Sequence, residues 1–430
     1  MTISIIVLLL TFIFLLSFNI PIALAIGVST TLSMIVSIPI APALTTIAQQ
    51  MATGINSFAL LAIPFFILSG YIMAQGGIAN RLINFAKVIV SSFPGGLAYV
   101  NIIACMFFGA ISGSAAAATS AVGGVMIPSM NKEGYDKNFN TALTVTASTT
   151  GLLIPPSNIL IIYSLASGGV SISALFIAGY IPGLLIGLSL IFVSMIMARI
   201  NNYPSGLRYD LKDIISRSFK ALPSLLLIYI VIGGIIKGIF TATEASVVAV
   251  IYSLLLAFLY KEIKLADVPN ILLKTVETTS IVMLLIGTSK AMSWLLSYLN
   301  IPQNISIYLI NLTDNVFLLL LIINILLLVV GTFMDMTPAV LIFTPILLPV
   351  VTGLGIDPLH FGIIMILNLC IGLCTPPVGS VLFLGCGIGK TSIDQLIKPL
   401  IPLYLAMIAI LFLITYFPQI SLFLPTYLGY

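Results

Sequence analysis

The sequence predicts an all-α polytopic membrane protein made of two inverted repeats, each with a re-entrant helical hairpin and an interrupted helix. Three observations predict it. The 430 residues are 60% hydrophobic and only 7% charged, with a mean hydropathy of +1.24; a water-soluble domain carries about a quarter charged residues. The punctuation of one stretch, 109–182, recurs in a second, 331–402, at a nearly constant shift. Basic residues, finally, mark opposite ends of the two copies.

Runs such as 4–18, 172–197, 221–236 and 316–330 reach or approach the roughly 20 apolar residues that cross a bilayer core. Together the apolar runs suggest about ten or eleven full spans. Such a composition excludes a water-soluble enzyme or nucleic-acid binder, and the net charge of +4 comes from loops, where it reads as topology. Residues 1–18 lack a basic leader and a small-residue cleavage site, so they read as a first membrane helix. Cys105, Cys370, Cys374 and Cys386 sit in apolar, small-residue segments and read as buried packing residues. No His or acid accompanies Cys370 and Cys374, so no metal site is read there.

Residues 3–36 are apolar apart from Asn19-Ile20-Pro21, which leaves one long kinked helix or two short ones. The more polar stretch 41–56, with Gln49 and Gln50, reads as a helix lying at the membrane surface. A span over 58–74 ends at Gly76-Gly77, and 78–90 carries Arg81 and Lys87. These make 1–93 a set of scaffold helices with a surface arm. The first copy occupies 94–182. Residues 97–110 are too short to cross comfortably; Ser112-Gly113-Ser114 interrupts them and a small-residue helix returns, giving a hairpin over 97–130. Asp136 reads as an N-cap. The helix it starts, 137–165, is interrupted by Gly151 and Pro155-Pro156, because adjacent prolines remove two donors and cannot continue a regular helix.

The middle section, 183–314, reads as scaffold helices with a second surface arm. It holds the basic loop with Arg199, Arg208, Lys212, Arg217 and Lys220, then two spans joined near GIFTATEAS. There Thr241 and Glu244 have the spacing of a capping box. A further span runs to about Gly287, and 290–312, with Trp294 and Pro302, reads as the arm. The second copy, 315–398, has a hairpin over 316–351 with the polar tip Asp335-Met336-Thr337-Pro338. Its interrupted helix, 358–386, starts at the cap Asp357 with Pro358 in the first turn and is broken at Gly372 and Pro376-Pro377. His360 reads as a solvated loop histidine. A last membrane helix occupies 399–430.

Charge sets the relation between the copies, since basic residues accumulate in cytoplasmic loops. Loop 131–138 has Lys132 and Lys137, and its counterpart 352–360 has none. The turn after the double proline reverses this: 167–173 is uncharged, and 389–398 carries Lys390 and Lys398. The copies therefore read as upside down relative to one another. The basic loop 199–220 places the middle of the chain in the cytoplasm and the C-terminus outside. The N-terminus is outside too if the first stretch is two helices.

Backbone that leaves a helix inside a membrane must bury its polar groups against protein, ion or water. Inverted repeats with interrupted helices point to a secondary transporter with a site near the midplane. Freed carbonyls and hydroxyls are the hard oxygen ligands that sodium prefers, and half-helix N-termini favour an anion. Ser112 and Ser114 sit at the first tip, facing 151–158; Asp335 and Thr337 sit at the second, facing 372–375. Close packing of membrane helices would also favour these small residues, and Asp335 could simply cap its helix. Asn158 and Tyr163 could touch a solute or pack. Glu244 and Asp335, the one conceivable carboxylate pair, lie on different elements, and no Walker A sequence is present. ATP drive within the chain and an enzyme are therefore not expected.

SGSAAAATSAVGGVMIP, GLLIPPSN, GIFTATEAS and GLCTPPVG resemble the large membrane subunit, the DctM or SiaM type, of tripartite ATP-independent periplasmic (TRAP) transporters of the ion transporter superfamily. The likeness covers essentially the whole chain. It implies an elevator-type transport domain, made of the hairpins and interrupted helices, sliding against a scaffold in a bacterial inner membrane. It implies coupling to at least two sodium ions, a periplasmic substrate-binding protein, and a small four-helix membrane subunit, here expected as a separate chain. It implies an organic acid anion such as sialic acid or a C4-dicarboxylate as solute, with Ser112, Ser157 and Asp335 as substrate contacts; Asn158, next after Ser157, joins them as a candidate on its position alone. The sodium ligands it implies are Ser112, Ser114, Gly151, Pro155, Gly331, Asp335, Thr337, Gly372 and Thr375, many through backbone carbonyls. A stand-alone sodium/dicarboxylate symporter of the same superfamily, or more remotely a channel, are the alternatives.

Overall fold

The computed structural model describes residues 2–18, 20–206, 209–313 and 315–430, and these are helical apart from connections and one isolated bridge between Pro94 and Ser205. Asn19 and Arg208 of the sequence reading lie outside the described residues. The N-terminal stretch is two helices, α1 (Thr2–Ser17) and α2 (Ile22–Ser37), folded back on each other so that Ser33 Oγ donates to Ser4 O at 2.7 Å. Then come α3 (Ile40–Ile55), α4 (Ala62–Gln75) and α5 (Ile78–Val90).

The first copy consists of the hairpin α6 (Gly96–Ser112) and α7 (Ala115–Lys132), the half-helices α8 (Lys137–Thr150) and α9 (Asn158–Ala166), and the long α10 (Ile172–Ile200). Helices α11 (Leu211–Ile236), α12 (Ala242–Leu259), α13 (Val268–Tyr298) and α14 (Ile301–Leu312) follow. The second copy has the same order: α15 (Val316–Phe333), α16 (Met336–Gly353), α17 (Pro358–Gly372), α18 (Ser380–Gly389) and α19 (Ile393–Tyr416), before a terminal α20 (Gln419–Tyr427). The Pro155-Pro156 and Pro376-Pro377 bonds are both cis.

Local chemistry sets several of the helix starts. Asp136 Oδ1 accepts from Phe139 N and Asp357 Oδ1 from Leu359 N, both at 2.7 Å, so each aspartate satisfies a donor that the first helical turn leaves free. Thr241 and Glu244 form a reciprocal capping box, with Thr241 N to Glu244 Oε2 at 2.8 Å and Glu244 N to Thr241 Oγ1 at 3.3 Å. Glu244 is thus held at a helix start.

Four expectations need correction. Eight helices among the described residues are long and apolar enough to cross a membrane, fewer than ten or eleven, and α1 and α2, of 16 residues each, are among those that fall short. Residues 290–312 are not one surface element: α13 continues through them to Tyr298, and only α14 is separate. The last long helix starts at Ile393 rather than at 399 and is followed by α20. His360 is not a solvated loop residue. It lies in the first turn of α17, 2% exposed, with Nδ1 2.7 Å from Ser421 Oγ and Nε2 3.4 Å from Thr415 O. Helix α20 folds back over it, which no local pattern announces.

Helices α8 and α17 form the centre; all of Phe139 to Thr150 and Leu359 to Gly372 are buried. α8 is rich in hydroxyls, yet it tolerates burial because they bond carbonyls of its own preceding turn, as Thr146 Oγ1 does to Ala142 O at 3.0 Å and Thr149 Oγ1 to Thr146 O at 2.9 Å. The two helices cross antiparallel. Cys370 Sγ lies 3.4 Å from Thr149 O, and Cys374 Sγ lies 3.5 Å from Val145 O, so the contact runs forward on one helix and backward on the other. Cys105, Cys370 and Cys374 are buried as expected, whereas Cys386 on α18 is only half-buried. Thr149 and Cys370 stand 221 residues apart, the shift at which the punctuation of the first stretch recurs in the second.

The ends agree with this arrangement. Lys137 Nζ donates to Lys390 O at 2.6 Å and Thr391 Oγ1 to Asn138 Oδ1 at 2.6 Å, which joins the start of α8 to the end of α18. At the opposite end Tyr163 O–H, on α9, donates to Pro358 O at 2.6 Å, joining α9 to the start of α17. The lysine-bearing loops of the two copies therefore share one end of the molecule. Loop 201–206 lies at that end too: Tyr203 stacks on Tyr135 at 4.4 Å and Pro204 O accepts from Tyr135 O–H at 3.3 Å. Burial lifts the Tyr135 phenol to about 12, so it remains a neutral donor.

Candidate functional site

Each hairpin is fastened to the broken helix of its own copy at two levels. Away from the tip an asparagine makes the link: Asn101 Nδ2 to Thr144 Oγ1 at 2.7 Å in the first copy, and Asn368 Nδ2 to Asn324 Oδ1 at 2.7 Å in the second. Just below the tip glycines allow backbone to touch backbone. A Cβ on Gly109 would come within 2.7 Å of Gly151 Cα, and one on Gly331 within 3.1 Å of Gly372 Cα. Gly151 and Gly372 follow Thr149 and Cys370 by two residues, a chain reach of about 7 Å at most. Both tips therefore leave the core beside the α8–α17 crossing.

At the first tip α6 ends on Ser112, Gly113 takes a left-handed φ of +61°, and Ser114 caps α7 by accepting from Ala117 N at 3.2 Å. Ser112 is buried, its Oγ a long 3.4 Å from Ser114 O, and α4 covers it at Gly70. The tip faces the start of α9: a Cβ on Gly113 would lie 3.1 Å from Asn158 Nδ2. Asn158 Oδ1 is buried without a hydrogen-bond partner among the described residues. Ser157 is fully buried and donates to Leu152 O at 2.5 Å, closing the break on itself, with Pro155 buried beside it.

At the second tip Asp335 is exposed and its Oδ1 accepts from Ser380 Oγ at 3.3 Å, at the start of α18. Gly379 N donates to Thr332 O at 3.1 Å, and a Cβ on Gly379 would meet Leu373 O at 2.8 Å and Thr375 O at 3.0 Å. Only a glycine, here at φ +41°, lets these carbonyls close in. The Thr375 side chain bonds back to Ile371 O at 2.8 Å, leaving its carbonyl as the group turned to Gly379. Thr337 is half-buried one residue into α16.

The sequence-predicted residues thus fall into two clusters, one per copy: Ser112, Ser114, Gly151, Pro155, Ser157 and Asn158, and Gly331, Asp335, Thr337, Gly372 and Thr375. Gly151, Gly331 and Gly372 serve close backbone packing there. Tyr163 is a packing residue, with no exposure and its hydroxyl on Pro358 O. Sequence reasoning missed Ser380 and Gly379. Their signal was present in PPVGS, where a glycine and a hydroxyl follow the double proline as Ser157 and Asn158 do in PPSN.

A family model described as the DctM component of the tripartite ATP-independent periplasmic transporter matches residues 9–420. The chain belongs to this family. It is 40% identical over 404 residues, 94% of each chain, to the C4-dicarboxylate TRAP transporter large permease protein DctM of Pseudomonas aeruginosa. It is 40% identical over 385 residues, 89% of this chain and 90% of the other, to the sialic acid TRAP transporter large permease protein SiaM of Vibrio cholerae. Among solved structures, the Alcanivorax borkumensis YdaH transporter superposes with a TM-score of 0.63 over 87% of each chain at 15% identity, a likeness of fold. Membership of this family makes the chain a membrane transport protein for which organic acids are the family's solutes, and the two clusters lie on the elements that interrupt its helices.

Proposed function

We propose that the chain is the large membrane component of a sodium-coupled secondary transporter that takes up an organic acid anion of the C4-dicarboxylate or sialic acid class. The observation that carries this reading is the pair of hairpin tips, each set against the start of a half-helix beyond its own double-proline break, on two copies that cross antiparallel. In the bilayer the copies form an inverted repeat and the hairpins are re-entrant. Chain that departs from helix at membrane depth is tolerated where it lines a site.

Sodium supplies positive charge beside the tips. The oxygen-rich surroundings support it: the unpartnered Asn158 Oδ1 at the first, and at the second the Leu373 and Thr375 carbonyls crowded on Gly379 with the Asp335 carboxylate nearby. Ser112, Ser114 and the Gly151 and Pro155 carbonyls complete the first set; Gly331, Asp335, Thr337, Gly372 and Thr375 make up the second, for at least two ions. The N-termini of α9 and α18 point positive dipole ends at the tips and favour the solute's carboxylate. Ser112, Ser157, Asn158 and Asp335 are its nearest side chains. With the anion beside Asp335, bound cation offsets repulsion, which makes ion and solute binding interdependent.

The hairpins and broken helices move as one body against α4, α5 and α11 to α14, as an elevator. The family's tripartite, periplasmic character supports a substrate-binding protein and a small membrane subunit as partners, in the inner membrane. The test is uptake into proteoliposomes holding the chain with its partners, with a panel of binding proteins and with or without a sodium gradient. Saturable uptake that needs both gradient and binding protein is expected. Uptake without a binding protein would favour a stand-alone symporter, and gradient-independent, unsaturable flux a channel.

Asn158→Leu gives a sharper readout. An unpaired buried acceptor costs about 1–3 kcal/mol, so removing it should leave the melting temperature in sodium-free buffer unchanged or higher. The half-saturating sodium concentration should rise about tenfold, as expected for one lost ligand. Unchanged sodium dependence would remove Asn158 from the cation site.

A further inference from the structure

Helix α13 is about 46 Å long, and an aromatic pair, Trp294 stacked on Tyr298 at 5.3 Å, marks its C-terminal end as an interface belt. Lys290 lies one turn deeper, about 12 Å from the end of the helix. With Ser289 and Ser293 it lines a small open cleft of about 30 Å³, room for a carboxylate end rather than a whole solute, whose facing wall is Leu165, Leu341 and Pro345, from α9 and α16. Positions 289, 290 and 293 fall on one helix face. The stem of Lys290 packs against α3, since a Cβ on Gly54 would lie 2.7 Å from Lys290 Cβ. No acidic side chain among the described residues pairs with Lys290; the ion pair present joins Arg81 to Glu262. Ser289 is 3% exposed and its Oγ has no partner.

We propose that Lys290, Ser289 and Ser293 form a carboxylate-binding station for the organic acid, on the scaffold wall of this cleft and separate from the hairpin tips. The inference rests on the transport reading above. Lys290 is exposed where it lines this cleft, and an ionisable side chain within a membrane helix that opens on a cavity marks a solute path. A lysine that merely extends its ammonium to the aromatic belt would account for Lys290 alone. It would not account for the buried, unpartnered hydroxyl one residue away, which suits the second oxygen of a carboxylate. The facing wall belongs to the two copies, so an anion held here lies between the moving body and the scaffold.

The test is the rate at which an amine-acylating reagent modifies Lys290, read by peptide mass spectrometry on the full chain in phosphatidylcholine nanodiscs, with succinate and sialic acid as probes. At least one probe is expected to slow modification of Lys290 about fivefold without protecting Lys137, and Ser289→Ala should weaken that protection. In proteoliposomes Lys290→Gln should raise the KM for uptake about tenfold with kcat little changed, and Lys290→Arg should restore it. Protection by neither probe, or only by phosphatidylglycerol added to the discs, would overturn the proposal, the latter in favour of a lipid headgroup. Sodium-driven uptake that persists while Lys290 stays unprotected would sink this station alone; absence of any sodium-driven uptake would sink the transport reading instead.

Discussion

Gly372→Ala, and equally Gly151→Ala, should abolish uptake and lower the melting temperature of the purified protein. In each copy the hairpin neck and the broken helix touch backbone to backbone, and a Cβ on Gly372 would sit 2.5 Å from Gly331 Cα. No rotamer change relieves such a clash, so helix or tip must move. Overpacking of this kind costs about 1–3 kcal/mol, and the absence of a flexible neighbour puts these sites at the upper end. The displacement reaches the tip that carries Asp335 or Ser112, so transport should fall further than stability. Gly124→Ala is the control. It lies in α7, where a Cβ would meet nothing within 4 Å, and alanine should be neutral or stabilising by up to about 1 kcal/mol. Wild-type uptake and melting in Gly372→Ala would show that the close approach of neck and break is dispensable.

Asp335→Asn should reduce sodium-driven uptake by about 10- to 100-fold at fixed sodium, the equivalent of about 1.5–3 kcal/mol for a lost charge-assisted contact. Its half-saturating sodium concentration should rise. The substitution keeps the size of the side chain and an oxygen for Ser380 Oγ, and Asp335 is exposed at the tip, so folding should be unaffected. Only the charge is removed. Thr337→Val, which deletes a half-buried neutral hydroxyl, should have the same sign and a smaller size. Sodium dependence identical to wild type in Asp335→Asn would leave Asp335 as a helix-start residue and require another source for the coupling.

Much of the fold was legible because its interruptions have local causes. Asp136 and Asp357 cap the helices that the sequence assigns to them, and Thr241 with Glu244 closes the box their spacing predicts. Ser112-Gly113-Ser114 and the two double prolines interrupt helix where they stand. The candidate residues were legible for the same reason, since they are the punctuation itself. Less legible were contributions through backbone: the carbonyls of Leu373 and Thr375 carry no side-chain signature, and Ser380 became a partner of Asp335 only once the second break turned back on its tip. His360 was misread because its partners, Ser421 and Thr415, lie more than 50 residues away on elements with no pattern to pair them.

By itself the sequence determined where helices begin, stop and break, and that the chain has a bilayer as its solvent. These follow from missing donors at proline, left-handed φ at glycine, capping oxygens and the scarcity of charge, all of which act within a few residues. Only the tertiary structure decided that Thr149 meets Cys370, that each tip lies against its own break, and that Lys290 faces α9 and α16 across a cleft. Those contacts join elements far apart in the chain. In a membrane they depend on close packing and small residues rather than on a hydrophobic pattern, because the outer and inner faces of a buried helix read alike.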